Sequence, residues 1–240
     1  MNKFIRNELL LGKEVCKKLS SLSVLVVGCG GVGGYAIESL ARLGVSKFTL
    51  VDNDDVEETN FNRQIIAIES NLNKSKVEAF KERILSINNE AFIDCKKVLF
   101  NQDSVSFVFD KEYDFVVDAI DTLSLKWNLI KICLSKNIKF ISSMGMGNKL
   151  DLTQIEITTL NKTINDPVSK KLREFARKDN IDSKLIPVVF SKELPYKQNV
   201  IVNDNGETMK KRIPPSSIIF TPAVAGLLIG QYVLEKIIGE

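Results

Sequence analysis

The chain's most chemically suggestive stretch is Gly28-Cys29-Gly30-Gly31-Val32-Gly33. Glycines so spaced allow a tight turn and let bare backbone N–H groups approach an anion, and a following helix adds its positive end. Asp52 lies 19 residues beyond Gly33, where an acid at the end of the next strand hydrogen-bonds a ribose hydroxyl. Alone, these features would suit NAD and hydride transfer. The next segment argues otherwise, because Asn60, Arg63, Gln64 and Lys76 cluster just after the candidate adenosine-binding strand. A forked guanidinium and a point-charge ammonium suit a triphosphate tail, and a nicotinamide dinucleotide has no terminal phosphate that needs them. The predicted cofactor is therefore ATP. Asp118 and Asp121 follow near the end of a later apolar run. Asp118 lies within that run and reads as structural, whereas Asp121 at its end is the candidate ligand for Mg²⁺.

Composition narrows the chemistry further. The 240 residues include no histidine, which removes the commonest general base, the usual catalytic triads and most zinc sites. Catalysis must then rest on carboxylates, Lys, Arg, backbone amides, a metal ion or the substrate itself. The four cysteines, Cys16, Cys29, Cys95 and Cys133, have no paired spacing, which suits reduced thiols in a cytoplasmic protein. The charged N-terminal segment lacks the long apolar stretch and small-residue cleavage site of a signal peptide.

These residues need elements to position them. Apolar, β-branched runs at 23–28, 46–52, 115–120 and 138–143 read as buried strands, and 92–98 as a weaker one. Helical periods over 32–43, closed by Gly44, and over 74–88 and 123–135 separate them. Alternation of this kind predicts an α/β, Rossmann-like fold: a mostly parallel sheet with helices on both faces. Residues 1–150 form the expected nucleotide-binding region, and 151–240 a C-terminal extension within one continuous domain. In the extension, 153–160 and 185–191 read as strands, 167–178 as a basic helix and 193–216 as a loop. The apolar tail 218–234 is long enough for a membrane span and carries Gly226 and Gly230 at GxxxG spacing. Its interruptions by Thr221, Pro222 and Gln231 favour a core or dimer-interface helix, and membrane association is not expected. Residues 160–212 hold 12 Lys/Arg against 7 Asp/Glu, a local excess that could meet a polyanion.

Taken in order, GCGGVG, LVDND, NFNRQ, a lysine twelve residues beyond Gln64, and VDAID resemble the ATP site of the ThiF/MoeB-type adenylating enzymes. Within that superfamily, FIRNELLLGKE, VDAIDTLSLK, ISSMGMGNKLD, KTINDPVSKKLRE and VVFSKELP are similar to segments of the tRNA threonylcarbamoyladenosine dehydratases. That resemblance implies a homodimer that uses ATP and Mg²⁺ to activate the threonyl carboxylate of a modified adenosine beside the anticodon. Cyclisation then follows, with net loss of water. It also implies roles for particular residues. Gly28, Gly30, Gly31 and Gly33 would line the phosphate loop, and Asp52 would hold the ribose. Asn60, Arg63, Gln64 and Lys76 would meet the phosphates, Asp121 would take the metal, and Arg6 would approach the ATP of the other subunit. Arg63, Lys76 and Asp121 are the expected catalytic set. The partner is tRNA carrying threonylcarbamoyladenosine, and a partner of the cysteine-desulfurase type is left open. The alternative is adenylylation of the C-terminus of a ubiquitin-like sulfur carrier. The activators of such carriers often have paired zinc-binding cysteines and a late cysteine, and here no cysteine follows Cys133. Ser70-Asn71-Leu72-Asn73 replaces the family's usual Thr-Val-Gly before the lysine, which predicts a differently shaped loop around Lys76.

Overall fold

The computed structural model describes residues 3–199 and 215–239. In chain order its elements are α1 (Ile5–Leu11), α2 (Lys13–Ser21), β1 (Ser23–Val27), α3 (Gly31–Leu43) and β2 (Lys47–Val51). There follow α4 (Lys76–Ile87), β3 (Phe92–Lys96), α5 (Val105–Val108), β4 (Phe115–Asp118), α6 (Leu123–Ser135) and β5 (Lys139–Ser143). The chain continues through β6 (Ile155–Thr159), α7 (Pro167–Lys178), β7 (Pro187–Ser191) and α8 (Phe220–Ile238). One seven-stranded sheet runs β3-β2-β1-β4-β5-β7-β6, parallel throughout except for β6, which pairs antiparallel with β7. The expected α/β, mostly parallel architecture is what the chain adopts. Strands β6 and β7 continue the sheet that the nucleotide-binding region begins.

Alternation along β1 divides the interior. Val24 and Val26 face a core built with Ile37 and Leu40 of α3, Phe80 and Ile84 of α4, and Ile229 and Val233 of α8. Leu25 and Val27 face the other core, with Trp127 and Ile130 of α6 and Leu172 and Ala176 of α7. Because both faces are covered, the central strands are apolar runs without polar alternation.

Local signals set the element ends. Gly44, with φ +98°, stops α3 and returns its N–H to Ala41 O and Leu40 O. Asp166 caps α7 through its side chain, and Pro167 occupies the first turn. Helix α8 crosses α3 closely: a Cβ on Gly226 would meet Val32 O at 2.5 Å and Ala36 N at 2.7 Å, and one on Gly230 would strike Ser39. The GxxxG spacing thus serves packing within the chain. Helix α8 is long and apolar enough to cross a membrane, and its small-residue face is buried on α3.

Some elements differ from expectation. Helices α1, α2 and α5 lie in stretches to which the sequence reading assigns no element; α1 buries no side chain and α2 only Leu19. Most of the expected loop at 193–216 falls outside the described residues.

Candidate active site

The sheet order reverses between β1 and β4, and ligands of such sheets lie at the carboxyl ends of the strands flanking that point. A cleft of about 480 Å³ opens there, lined by Gly28, Gly30, Gly31, Asp52, Asn60, Arg63, Gln64, Lys76 and Asp121 among others. A hollow of about 510 Å³ at the opposite edge, beside Tyr113 and Lys136, holds none of these residues. The chemistry therefore belongs to the first.

Gly28, directly after β1, has φ +93°, and a Cβ there would lie 2.6 Å from Ala119 O, so the glycine loop and the loop after β4 pack backbone to backbone. Gly30 and Gly31 line the cleft at the start of α3, whose first N–H groups have no partner within the helix. Gly33 departs from expectation. It lies beneath the loop, where a Cβ would collide with Gly28 O, and it serves helix–strand packing.

The Asp52 carboxylate accepts from Cys29 N at 2.6 Å and from Asp54 N at 2.9 Å, which fixes it at the cleft floor. Burial pushes this carboxyl above its ordinary range, against the pull of nearby Lys76 and the two N–H donors. Asn60 closes the one-turn helix Glu58–Asn60 by accepting from Glu57 N at 3.1 Å. Its carboxamide oxygen is thus engaged in the turn, and the residue also lines the cleft. One residue turn on, Arg63 Nη1 donates to Thr59 O and Asn62 Oδ1, both at 2.9 Å, which sets the guanidinium in place. Gln64 is buried, and its Oε1 lacks a hydrogen-bond partner, as only two other buried side-chain atoms do among the described residues. Such an orphan acceptor beside the glycine loop suits a ligand donor.

Lys76 opens α4 and is buried, with Nζ 2.8 Å from Asp54 Oδ2. The loop before it is shaped by Asn73 at φ +62°, whose N–H reaches Val56 O, and by a bridge between Asp55 and Ser75. The altered loop sequence still delivers the lysine to the cleft.

Asp121 sits exposed at the rim, with its Oδ1 accepting from Thr122 Oγ1 at 3.2 Å. Asp118 is fully buried. It accepts from Ser142 Oγ at 2.6 Å and Ile120 N at 3.1 Å, and lies 3.0 Å from Lys126 Nζ. Lys126, also buried, lines the cleft and was not singled out from sequence. The available signal was a lysine inside the apolar face of a helix, which requires a partner. No cluster of three or more Cys, Asp or Glu side chains suits a metal among the described residues. Arg6 lies exposed on α1 and does not line this cleft.

On α7, Lys170, Lys171, Arg177 and Lys178 are exposed, and Lys171 pairs with Glu174 at 2.6 Å. Arg173 turns inward instead, donating to Thr163 Oγ1 and to Thr163 O at 3.0 Å. It is a brace for the turn before α7, not part of the exposed basic face the sequence suggested.

Relatives agree with this geometry. The chain is 41% identical to the tRNA threonylcarbamoyladenosine dehydratase of Bacillus subtilis over 245 residues, covering 100% of this chain and 96% of that one. It is 40% identical to the Escherichia coli protein of the same name over 197 residues, covering 79% of this chain and 74% of that one. The crystal structure of the E. coli enzyme in complex with ATP superposes with a TM-score of 0.87 at 33% identity, covering 99% of this chain and 94% of that chain. The E. coli protein MccB, at 22% identity and a TM-score of 0.67, shares the fold. The sequence pattern of the ThiF family matches residues 4–240, and the chain belongs to that family.

Proposed function

We propose that this chain is an ATP-dependent tRNA threonylcarbamoyladenosine dehydratase. The observation that carries the reading is the cleft's cationic set beyond the glycine loop, Arg63 and Lys76, in a chain matching a dehydratase of that name along its full length.

The chemistry follows from the site. A carboxylate is already ionised at neutral pH, so its attack needs no base and fits a chain without histidine. The obstacle is charge repulsion between carboxylate and α-phosphate. Arg63, braced by Thr59 and Asn62, and Lys76, braced by Asp54, present fixed positive charge without reorganising during reaction. The phosphate-loop amides add to it. A carboxylate oxygen bonds the α-phosphorus while the bond to pyrophosphate breaks. An internal carbamoyl atom then attacks the acyl carbon, and AMP leaves with the former carboxylate oxygen, so one water is lost overall from the nucleoside. Mg²⁺ fits the rim: Asp121 keeps free lone pairs, and this ion is commonly held by one or two carboxylates plus substrate phosphates. Bound there, it would supply further neutralisation of the triphosphate.

The polyanionic partner requires a basic surface outside the cleft, and exposed Lys170, Arg177 and Lys178 on α7 provide one. A homodimer is part of the proposal. Leu9 and Leu10 of α1 are 80% and 84% exposed, an apolar pair suited to burial against a second copy. Incubation with ATP and threonylcarbamoyl-modified tRNA, followed by nucleoside mass spectrometry, should show the modified adenosine lighter by one water and AMP formed in equal amount. Unchanged nucleoside under these conditions would defeat the reading.

A further inference from the structure

The contacts assigned to ATP come from the loop after β1 through α4, together with Asp121. The cleft has another wall, formed by Met144, Gly145, Met146 and Gly147 after β5, with Val168 of α7 and Pro215 beside it. This strip is held from several sides. A Cβ on Gly145 would meet Asp166 Oδ2 at 3.1 Å, and one on Gly147 would meet Pro215 Cβ at 2.8 Å. Asn148, at φ +60°, accepts through Oδ1 from Ser216 N at 3.0 Å and Ser216 Oγ at 2.6 Å.

Directly behind the strip is a buried ion pair. Lys149 Nζ lies 3.1 Å from Asp166 Oδ2 and 3.1 Å from Ser191 O, and the two charged side chains are 1% and 0% exposed. The other oxygen of Asp166 accepts from Ser169 N at 2.7 Å and Ser169 Oγ at 2.8 Å. One ammonium thus joins the strip, the start of α7 and the end of β7. A buried pair contributes little net stability compared with apolar side chains of the same volume, whereas its fixed geometry is specific.

We propose that Lys149 and Asp166 are positioning residues for the acyl-bearing substrate, holding the Gly145–Gly147 wall where the tRNA-borne carboxylate must lie to reach the α-phosphorus. The inference rests on the functional reading above and deepens it. The phosphate loop, Asp52, Arg63, Gln64 and Lys76 make the nucleotide side of the cleft, so the strip is left for the second substrate. Helix α7, with its exposed basic residues, begins at Asp166, so the same pair sets the tRNA-facing helix against that wall.

The test is the double variant Lys149→Met with Asp166→Asn. Asparagine keeps the cap acceptor of α7, methionine fills the lysine stem, and no lone buried charge remains. Thermal unfolding and ATP affinity should stay close to the parent's, while kcat/KM for modified tRNA should fall roughly 10- to 100-fold, as expected for misplacing a reacting group by about 1 Å. Lys149→Arg, which keeps the charge and its donors, should recover part of the rate. Gly145→Ala, whose methyl would press on Asp166 Oδ2 and Val168, should show the same split between ATP binding and tRNA turnover. A parent enzyme that leaves modified tRNA unchanged would defeat the functional reading and this inference together. A parent that converts it, beside a double variant with the same kcat and KM, would overturn the inference alone. Equal losses of ATP affinity, melting temperature and turnover in both the double variant and Gly145→Ala would also overturn it, leaving the pair a purely structural role.

Discussion

Replacing Gly226 by alanine should separate the two helices that back the phosphate loop. The added methyl would lie 2.5 Å from Val32 O, 2.6 Å from Tyr35 Cβ and 2.7 Å from Ala36 N. Comfortable contacts between carbons lie at about 3.5–4.0 Å, so the helix axes must part by roughly 1 Å. Two of the three neighbours are backbone atoms, and no rotamer relieves them. Alanine's better helix propensity returns about 1 kcal/mol. Overpacking costs about 1–3 kcal/mol, and three simultaneous contacts with little freedom to yield place this site at or above the upper end. The net loss is about 2 kcal/mol, which for a chain of this size lowers the melting temperature by roughly 4–8 °C. Pro222 of α8 lies against Gly31, 3.2 Å from where a Cβ would stand there, so the displacement reaches the phosphate loop and ATP affinity should fall as well. Gly230→Ala is the control. Its methyl would clash with the side chain of Ser39 while the nearest backbone atom, Leu40 N, stands at 4.0 Å, so adding Ser39→Gly should restore part of the loss there. Circular-dichroism melts decide the matter. A Gly226→Ala protein that melts at or above the parent would refute the packing account.

The remaining predictions concern the cleft and its surroundings. Burial holds the Asp52 carboxyl above its ordinary value, so its contribution to stability is complete below the unfolded pKa and declines as pH rises through the raised folded one. ATP binding needs the ionised acceptor and should weaken on acidification through the same window; calorimetric titration should show this, and Asp52→Asn should remove that pH dependence. Lys126→Met leaves Asp118 buried without its cation, and should cost about 3–5 kcal/mol in denaturant unfolding, whereas pairing it with Asp118→Asn should recover most of that. Asp121→Ala should abolish turnover with the melting temperature unchanged, and full activity would move the metal role elsewhere. Reversing charge at Lys170 and Arg177 should weaken tRNA binding and flatten its salt dependence by roughly one unit of log–log slope per lost phosphate contact, with ATP affinity intact. Parent-like binding at every salt concentration would place the footprint off α7.

Much of the fold was legible because the buried parallel strands β1, β2, β4 and β5 leave apolar runs, while the edge strand β6 shows alternation. All seven strands, from Ser23–Val27 to Pro187–Ser191, lie within the stretches the sequence marks out. Helices α1 and α2 were not legible. Helix α1 buries no side chain, and the apolar stripe of α2 is only Val15 and Leu19 within nine residues, too short to mark a helix by itself. At the site, residue type and order marked out the glycine loop, Asp52, Arg63, Gln64 and Lys76, which the fold brings together along one cleft. The partners that aim them were hidden. Asp54 for Lys76, and Thr59 and Asn62 for Arg63, are ordinary polar residues until the chain folds. Lys126 and Lys149 were harder still, since each is buried beside an aspartate that only the packing of α6 on β4, or of the strip after β5 on α7, brings to it. Arg173 shows the converse limit: charge and helical spacing cannot distinguish a solvated guanidinium from one turned in to satisfy a loop carbonyl.

The packing of α8 on α3 has a consequence for the order in which the molecule assembles. The two helices are separated by nearly the whole intervening chain, including six of the seven strands that follow or precede the cleft. During vectorial synthesis α3 therefore emerges with the face around Val32, Tyr35, Ala36 and Ser39 not yet covered by α8. The glycine loop meets Asp52 and Ala119 once β2 and β4 have formed, but its contact with Pro222 must wait for the last helix. Such non-local closure slows folding and prolongs exposure of apolar surface. A nascent chain halted before α8 would thus present a sticky helix face and an unbraced nucleotide loop together, and nucleotide capture would mark completion of the fold.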